Sequence, residues 1–139
     1  MTDLSAFAAL VALDHGLCAF STLRDDGSVQ ATVVNAGVVQ HPVTGEQVVG
    51  LVAAGRHKLQ NLRADPRATI VARAGWQFAT VEGTAEIIGP DDPHPDVDGE
   101  TLRIFLRDIF KAAGGVHDDW DTYDRTMADE RRAAVLLAP

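Results

Sequence analysis

The residues best suited to chemistry lie in one short stretch, Ala54-Gly55-Arg56-His57-Lys58-Leu59-Gln60-Asn61-Leu62-Arg63-Ala64-Asp65-Pro66-Arg67. Four cationic side chains, Arg56, Lys58, Arg63 and Arg67, stand against one acid, Asp65, for a local balance of +3. The 139-residue chain as a whole carries −8. Cationic side chains in an acidic protein raise the local potential and steer anions, so the stretch reads as an anion-binding segment. The plainer alternative is a short solvated helix with ordinary surface charges. Lys58 is a compact donor suited to phosphate and Asn61 a directional one, and their i, i+3 spacing puts both on one helical face. A phosphate near the helix start would also meet exposed backbone N–H groups.

Little other chemistry stands out. The five histidines (His15, His41, His57, His94, His117) are scattered without metal-ligand spacing, and no metal is assigned. Cys18 is the only cysteine, which excludes an internal disulfide, and its apolar strand context suits an inert thiol. Ser21 and Ser28 sit in no nucleophile-elbow context, which argues against hydrolysis. The acidic run at 89–99 matches no EF-hand spacing and reads as a solvated loop. With no acid–base constellation, the reactive chemistry of an enzyme here would belong to a bound cofactor that the protein orients and shields from water.

These residues need a scaffold. At 46% hydrophobic and 23% charged, the chain is expected to be one soluble globular domain, 1–139. Its negative charge argues against nucleic acid or an anionic membrane as partner, no run approaches membrane-spanning length, and a cytoplasmic setting follows as the default. Leu4, Phe7, Ala8 and Val11 make one apolar helix face, capped by Thr2 or Ser5 and ended by Gly16. Strands are expected at 17–23, 29–39 and 47–53, the first two forming a hairpin around Asp25-Asp26-Gly27. The basic stretch is a short helix with Leu59 and Leu62 inward, stopped at Asp65-Pro66. Strands at 68–73 and 76–88 follow. The second alternates Gln77, Ala79, Val81 and Gly83 against Trp76, Phe78, Thr80 and Glu82, with neither face wholly apolar, as in a barrel strand whose exposed side meets a ligand or a second subunit.

After the loop, Leu102, Phe105, Leu106, Ile109, Phe110 and Ala113 mark a strong amphipathic helix broken by Gly114-Gly115. Asp118 or Asp119 starts a last helix on which Trp120 and Tyr123 are packing residues, and 133–138 closes as an apolar strand. With hairpins first and no βαβ rhythm, the fold class is mainly β with α, a small Greek-key barrel with peripheral helices.

Several pieces recur in family order: Cys18-Ala19-Phe20-Ser21-Thr22-Leu23 with Asp26-Gly27, Arg56-His57-Lys58 with Asn61-Leu62, Asp65-Pro66-Arg67-Ala68, Gly75-Trp76, Val81-Glu82-Gly83-Thr84-Ala85 and His117-Asp118-Asp119-Trp120-Asp121. Together they resemble the split β-barrel flavin/deazaflavin oxidoreductases, the superfamily of the pyridoxamine 5′-phosphate oxidase-like proteins. The pattern is most similar to the actinobacterial branch that uses the deazaflavin coenzyme F420. The resemblance implies a homodimer with cofactor grooves at the subunit interface. It implies that Lys58 and Asn61, with Arg56 alongside, bind the cofactor phosphate. Trp76, after Gly75, would line the ring pocket, and Gln30 and Thr32 would reach the ring system.

The implied activity is hydride transfer from reduced deazaflavin to an electrophilic or conjugated small molecule, with no catalytic residue assigned. FMN on the same barrel, or a non-catalytic carrier of F420, are the alternatives. Arg56, Arg63 and Arg67 exceed what one phosphate requires, and that surplus leans towards the longer, carboxylate-bearing deazaflavin tail.

If Lys58 contacts phosphate, Lys58→Ala weakens cofactor binding by roughly 1.5–3 kcal/mol in a titration, the range for charge-assisted hydrogen bonds. On the same reading Arg107→Ala changes it little.

Overall fold

Six strands close into one antiparallel barrel in the order β1-β2-β3-β6-β5-β4. The computed structural model describes residues 3–54 and 56–139. In chain order the elements are α1 (Ser5–Leu13), β1 (Leu17–Leu23), β2 (Val29–Gln40), β3 (Gln47–Ala53), α2 (Arg56–Ala64), β4 (Arg67–Ala74), β5 (Gln77–Ile88), α3 (Gly99–Ala112), α4 (Trp120–Asp129) and β6 (Ala133–Ala138). Two meanders, β1-β2-β3 and β4-β5-β6, are thus joined through α2 and sealed by the β1–β4 and β3–β6 pairings.

Strand patterning reports which walls the helices cover. In β1 only every second residue is buried, so one face looks inward and the other is bare. By contrast, Val48 to Leu51 of β3 and Ala133 to Leu137 of β6 are buried without a break. Their inward residues Val49, Leu51, Val135 and Leu137 join Phe20 and Ile70 inside the barrel, where Phe7 of α1 and Leu59 and Leu62 of α2 complete the core. Their outward residues Val48 and Leu136 pack instead with Phe105, Leu106 and Ile109 of α3 and Tyr123 of α4.

The seat for α3 is made of glycine. Gly37 and Gly50 face each other across β2 and β3. A Cβ on Gly37 would come within 2.4 Å of the Ala112 carbonyl, and one on Gly50 within 3.2 Å of the Ile109 side chain. A Cβ on Gly16 would lie 2.2 Å from the Ala113 carbonyl oxygen. The end of α3 therefore rests almost on the sheet backbone.

Several boundaries differ from expectation. Ser5 is the first helical residue and caps nothing; its N–H donates to Asp3 Oδ1 at 2.9 Å. Thr2, the other expected cap, lies outside the described residues. The left-handed position that ends α1 is taken by His15 at φ 56° as well as by Gly16, whose N–H donates to the Val11 carbonyl at 2.8 Å. Helix α3 starts at Gly99, earlier than its apolar pattern, because the Asp98 carboxylate accepts the Thr101 N–H at 2.7 Å and caps the first turn. Asp119 caps α4 in the same way. Trp76 lies in the β4–β5 turn, before the strand expected to contain it.

Gly37→Ala drives a methyl into the α3 backbone, which cannot rotate away. It is expected to cost about 1–3 kcal/mol, the usual range for overpacking, read as a lower urea midpoint. Gly27→Ala, whose Cβ would meet nothing within 4 Å but whose φ is +85°, separates conformational strain from that packing cost.

Candidate functional site

Parts of all four helices or their ends meet around one cleft of about 720 Å³. Its floor is the outward side of β2 and β3, with Val33, Asn35, Val52 and Ala54. One wall is the end of α3 and its turn, Ile109, Phe110 and Ala113 to Gly115, where Gly114 at φ +88° lets Gly115 N–H close on the Phe110 carbonyl at 2.8 Å. Tyr123 and Met127 of α4 extend that wall. Lys58 of α2, Arg132 before β6 and His15 after α1 supply the ionisable rim. Among the described residues, no aspartate or glutamate lines it. In a protein at −8, this cleft is a local site of positive potential.

Lys58 is half-buried, and burial first, then the nearby Arg132 guanidinium, hold its ammonium below the ordinary lysine range. Both causes disfavour charge at that nitrogen, and an anion in the cleft would relieve both. The Arg132 Nε donates to Glu130 Oε2 at 2.9 Å. Tyr123 is no free acid. Its hydroxyl donates to the Leu106 carbonyl at 3.0 Å, and burial pushes the phenol up to about 12. Burial likewise pushes the Cys18 thiol up to about 11.

The sequence-derived site residues do not all gather here. Lys58 lies in the cleft, but Asn61 opens on a separate hollow of about 830 Å³ lined also by Gln30, Arg24, Asp25 and Asp26. There Asn61 Nδ2 donates to Gln30 Oε1 at 2.8 Å and to Thr22 Oγ1 at 3.1 Å, which engages its amide donors and ties α2 to β1 and β2. The i, i+3 spacing thus sends the two side chains to different hollows. On β2, Gln30 and Thr32 do not line the cleft, which takes Val33, Val34 and Asn35 from further along that strand. The Thr32 Oγ1 is buried with no hydrogen-bond partner among the described residues. Arg56 is exposed at the start of α2, Gly75 turns at φ 61°, and Trp76 is 100% exposed.

The surplus charge of the basic stretch also contracts. Arg63 pairs with Asp92, and Arg67 with Asp65. Arg56 and Lys58 remain, joined by Arg132 from 74 positions further along the chain (132 − 58). Nothing in the spacing signals Arg132, because the left-handed residue that turns it inward is Arg131 (φ 50°), where a glycine would have marked the turn. The Arg132 N–H donates to the Met127 carbonyl at 2.9 Å and closes α4.

The α3–α4 wall is held by charge and by rings. Asp124 accepts from Arg103 at 2.7 Å and from Arg107 Nε at 2.9 Å. Phe110, His117, Trp120 and Tyr123 form one cluster, its closest pair at 5.0 Å between centroids. Arg107 lies 5.3 Å from the Trp120 ring centroid. Arg107 is thus structural, and its truncation is no neutral control.

A family model described as pyridoxamine 5′-phosphate oxidase matches residues 5–119. Among solved structures, a conserved hypothetical protein from Mycobacterium tuberculosis is similar over 99% of this chain and 81% of its own, at 19% identity and TM-score 0.67. An F420 reductase is similar over 94% and 90%, at 18% identity and TM-score 0.60. A pyridoxamine 5′-phosphate oxidase-related, FMN-binding protein from Nostoc punctiforme is similar over 100% and 82%, at 12% identity and TM-score 0.67. At these identities the structural likeness concerns the fold. No described helix is long and apolar enough to cross a membrane.

Arg107 and Arg103 hold the Asp124 carboxyl below its ordinary value of 3.8, the Arg107 hydrogen bonds contributing most. A carboxylate with a lowered folded pKa stabilises above its unfolded value and loses that contribution as the pH falls towards the folded one. Asp124→Asn is therefore expected to cost about 1.5–3 kcal/mol at neutral pH. In urea melts across the acid range, its deficit against wild type shrinks once the pH drops below about 4.

Proposed function

The chain belongs to the pyridoxamine 5′-phosphate oxidase family, and on that premise we propose that it is an oxidoreductase working with a phosphate-bearing tricyclic cofactor, coenzyme F420. The observation that carries this reading is the acid-free, cation-rimmed cleft in a protein of net charge −8. Lys58 holds the cofactor phosphate, and its lowered ammonium pKa is restored by the anion. The apolar wall of Ile109, Phe110 and Met127 packs against the ring system and excludes water. Exposed Arg56, two residues before Lys58, serves the carboxylate-bearing tail. When bound, the deazaflavin supplies a hydride to an electrophilic or conjugated small molecule. With its hydroxyl committed to Leu106, Tyr123 orients rather than protonates.

The active form is a homodimer. Val33, Ala19, Val71 and Thr80 stand in one row across β2, β1, β4 and β5, on the outward parity, where none of the four is buried. Val33 and Phe78 on that face are 73% and 69% exposed, and Trp76 stands at its edge. A second copy docked there buries this apolar face and brings its Trp76 and Gly75 turn towards the cleft, since Val33 belongs to both. Asn61, Gln30 and Thr32 then support the site through the hydrogen-bonded strand end, where the buried Thr32 hydroxyl has no described partner.

FMN on the same scaffold is the second reading, because one phosphate seat serves either cofactor. Titration with F420 and with FMN separates them. The protein is expected to purify as a dimer by light scattering, without bound FMN, and to bind F420 at micromolar affinity or better. That binding weakens as salt rises. Stoichiometric FMN with no response to F420 reverses the cofactor choice, and a tightly binding monomer removes the dimer. Turnover of an acceptor by reduced F420 distinguishes enzyme from carrier.

A further inference from the structure

Lys58 and Arg132 come from distant parts of the chain yet face one cleft. Lys58 has no carboxylate partner among the described residues, and Arg132 has only Glu130, which engages its Nε and leaves both terminal nitrogens without a described partner. Elsewhere, Arg63, Arg67, Arg103, Arg107 and Arg131 face aspartate or glutamate, and Arg24 and Arg73 donate to backbone carbonyls of Val29 and Gly75. Two cations from distant parts of the chain converge where no acid among the described residues lines the wall, and their mutual repulsion is unfavourable in the empty protein. At Lys58 both burial and the nearby Arg132 disfavour the charged ammonium.

We propose that Arg132 is a second anion-binding residue, forming with Lys58 a two-cation seat for a single phosphate group. This rests on the cofactor reading and deepens it: the phosphate is gripped from both sides of the cleft, by α2 and by the start of β6. Lysine contributes a point charge, and the guanidinium a planar pair of donors. Glu130 positions that fork by holding its Nε.

The test uses the full chain with Arg132→Met, Arg132→Lys, Lys58→Met and the double variant. Arg67→Met, which removes a cation already paired with Asp65, is the control. F420, FMN and inorganic phosphate are titrated separately, and apo melting temperatures are recorded. Arg132→Met is expected to weaken F420 binding roughly 10- to 100-fold, the range for a charge-assisted hydrogen bond, with Arg132→Lys recovering part of it. Its apo melting temperature stays at or above wild type, because a repulsion has been relieved, while Arg67→Met leaves binding unchanged. Arg132→Met binding like wild type overturns the seat and leaves the cofactor reading standing. A lower apo melting temperature for both Arg132→Met and Arg132→Lys with unaltered binding makes Arg132 a helix-ending residue, and also overturns it. Wild type binding phosphate through both residues but neither cofactor keeps the seat and overturns the cofactor reading. Binding none of the three overturns both.

Discussion

The contact on which the cleft depends is that of α3 with the paired glycines Gly37 and Gly50. A helix backbone normally rides on side chains, about 10 Å from the sheet it covers. Here the missing Cβ atoms let Ala112 touch β2 directly, and Gly16 receives Ala113 in the same way. Lowering the end of α3 places Ile109 and Phe110 at the level of the β2–β3 surface and turns the following Gly114-Gly115 across it. Phe110 in turn holds His117, Trp120 and Tyr123, so α4 is hung from the same point. The wall of the cleft is thus a consequence of close packing and not of any residue that looks catalytic.

Charge in this molecule is distributed by pairing geometry. The acidic segment after β5 reads as solvent-exposed punctuation, yet Asp92 and Asp91 accept Arg63 and Arg131. Those pairs are exposed and contribute little stability individually. Their larger effect is on the field, since they offset cations outside the cleft, whose own lining includes Lys58 and Arg132 and no acid among the described residues. Specific steering of an anion needs only this contrast, not a high net charge.

The barrel also separates its faces by use. The walls of β3 and β6 are sealed on both sides, one by the core and the other by α3 and α4. The wall formed by β1, β4, β5 and the first half of β2 is sealed on one side only, and its outward row is small or β-branched where a shielding helix would otherwise lie. Phe78 and Trp76 are large apolar groups left exposed on this surface, which the proposed dimer would cover. A cleft bordering that face at Val33 couples assembly to ligand binding in the dimer proposed above.

Much of this was determined by the sequence alone. Period-two and period-3.6 patterns place several of the strands and helices to within a few residues, because burial of one face leaves its mark on residue type. The continuous apolar runs at 47–53 and 133–138 belong to the strands covered twice. Trp120 and Tyr123 as packing residues were legible from local context. What only the tertiary structure decided is which charges remain and which side chains converge. Arg67 pairs with Asp65 two residues away, a contact local spacing allows, whereas Arg63 is paired through Asp92, 29 positions along the chain. Asn61 shares a helix with Lys58, but its amide is drawn to Thr22 and Gln30, since a buried donor takes the nearest acceptor. Arg132 reaches Lys58 only because α4 ends in a left-handed arginine that no pattern announces. Local spacing encodes the shape of an element, whereas Coulomb pairing and convergence depend on distances through space, which a one-dimensional reading does not contain.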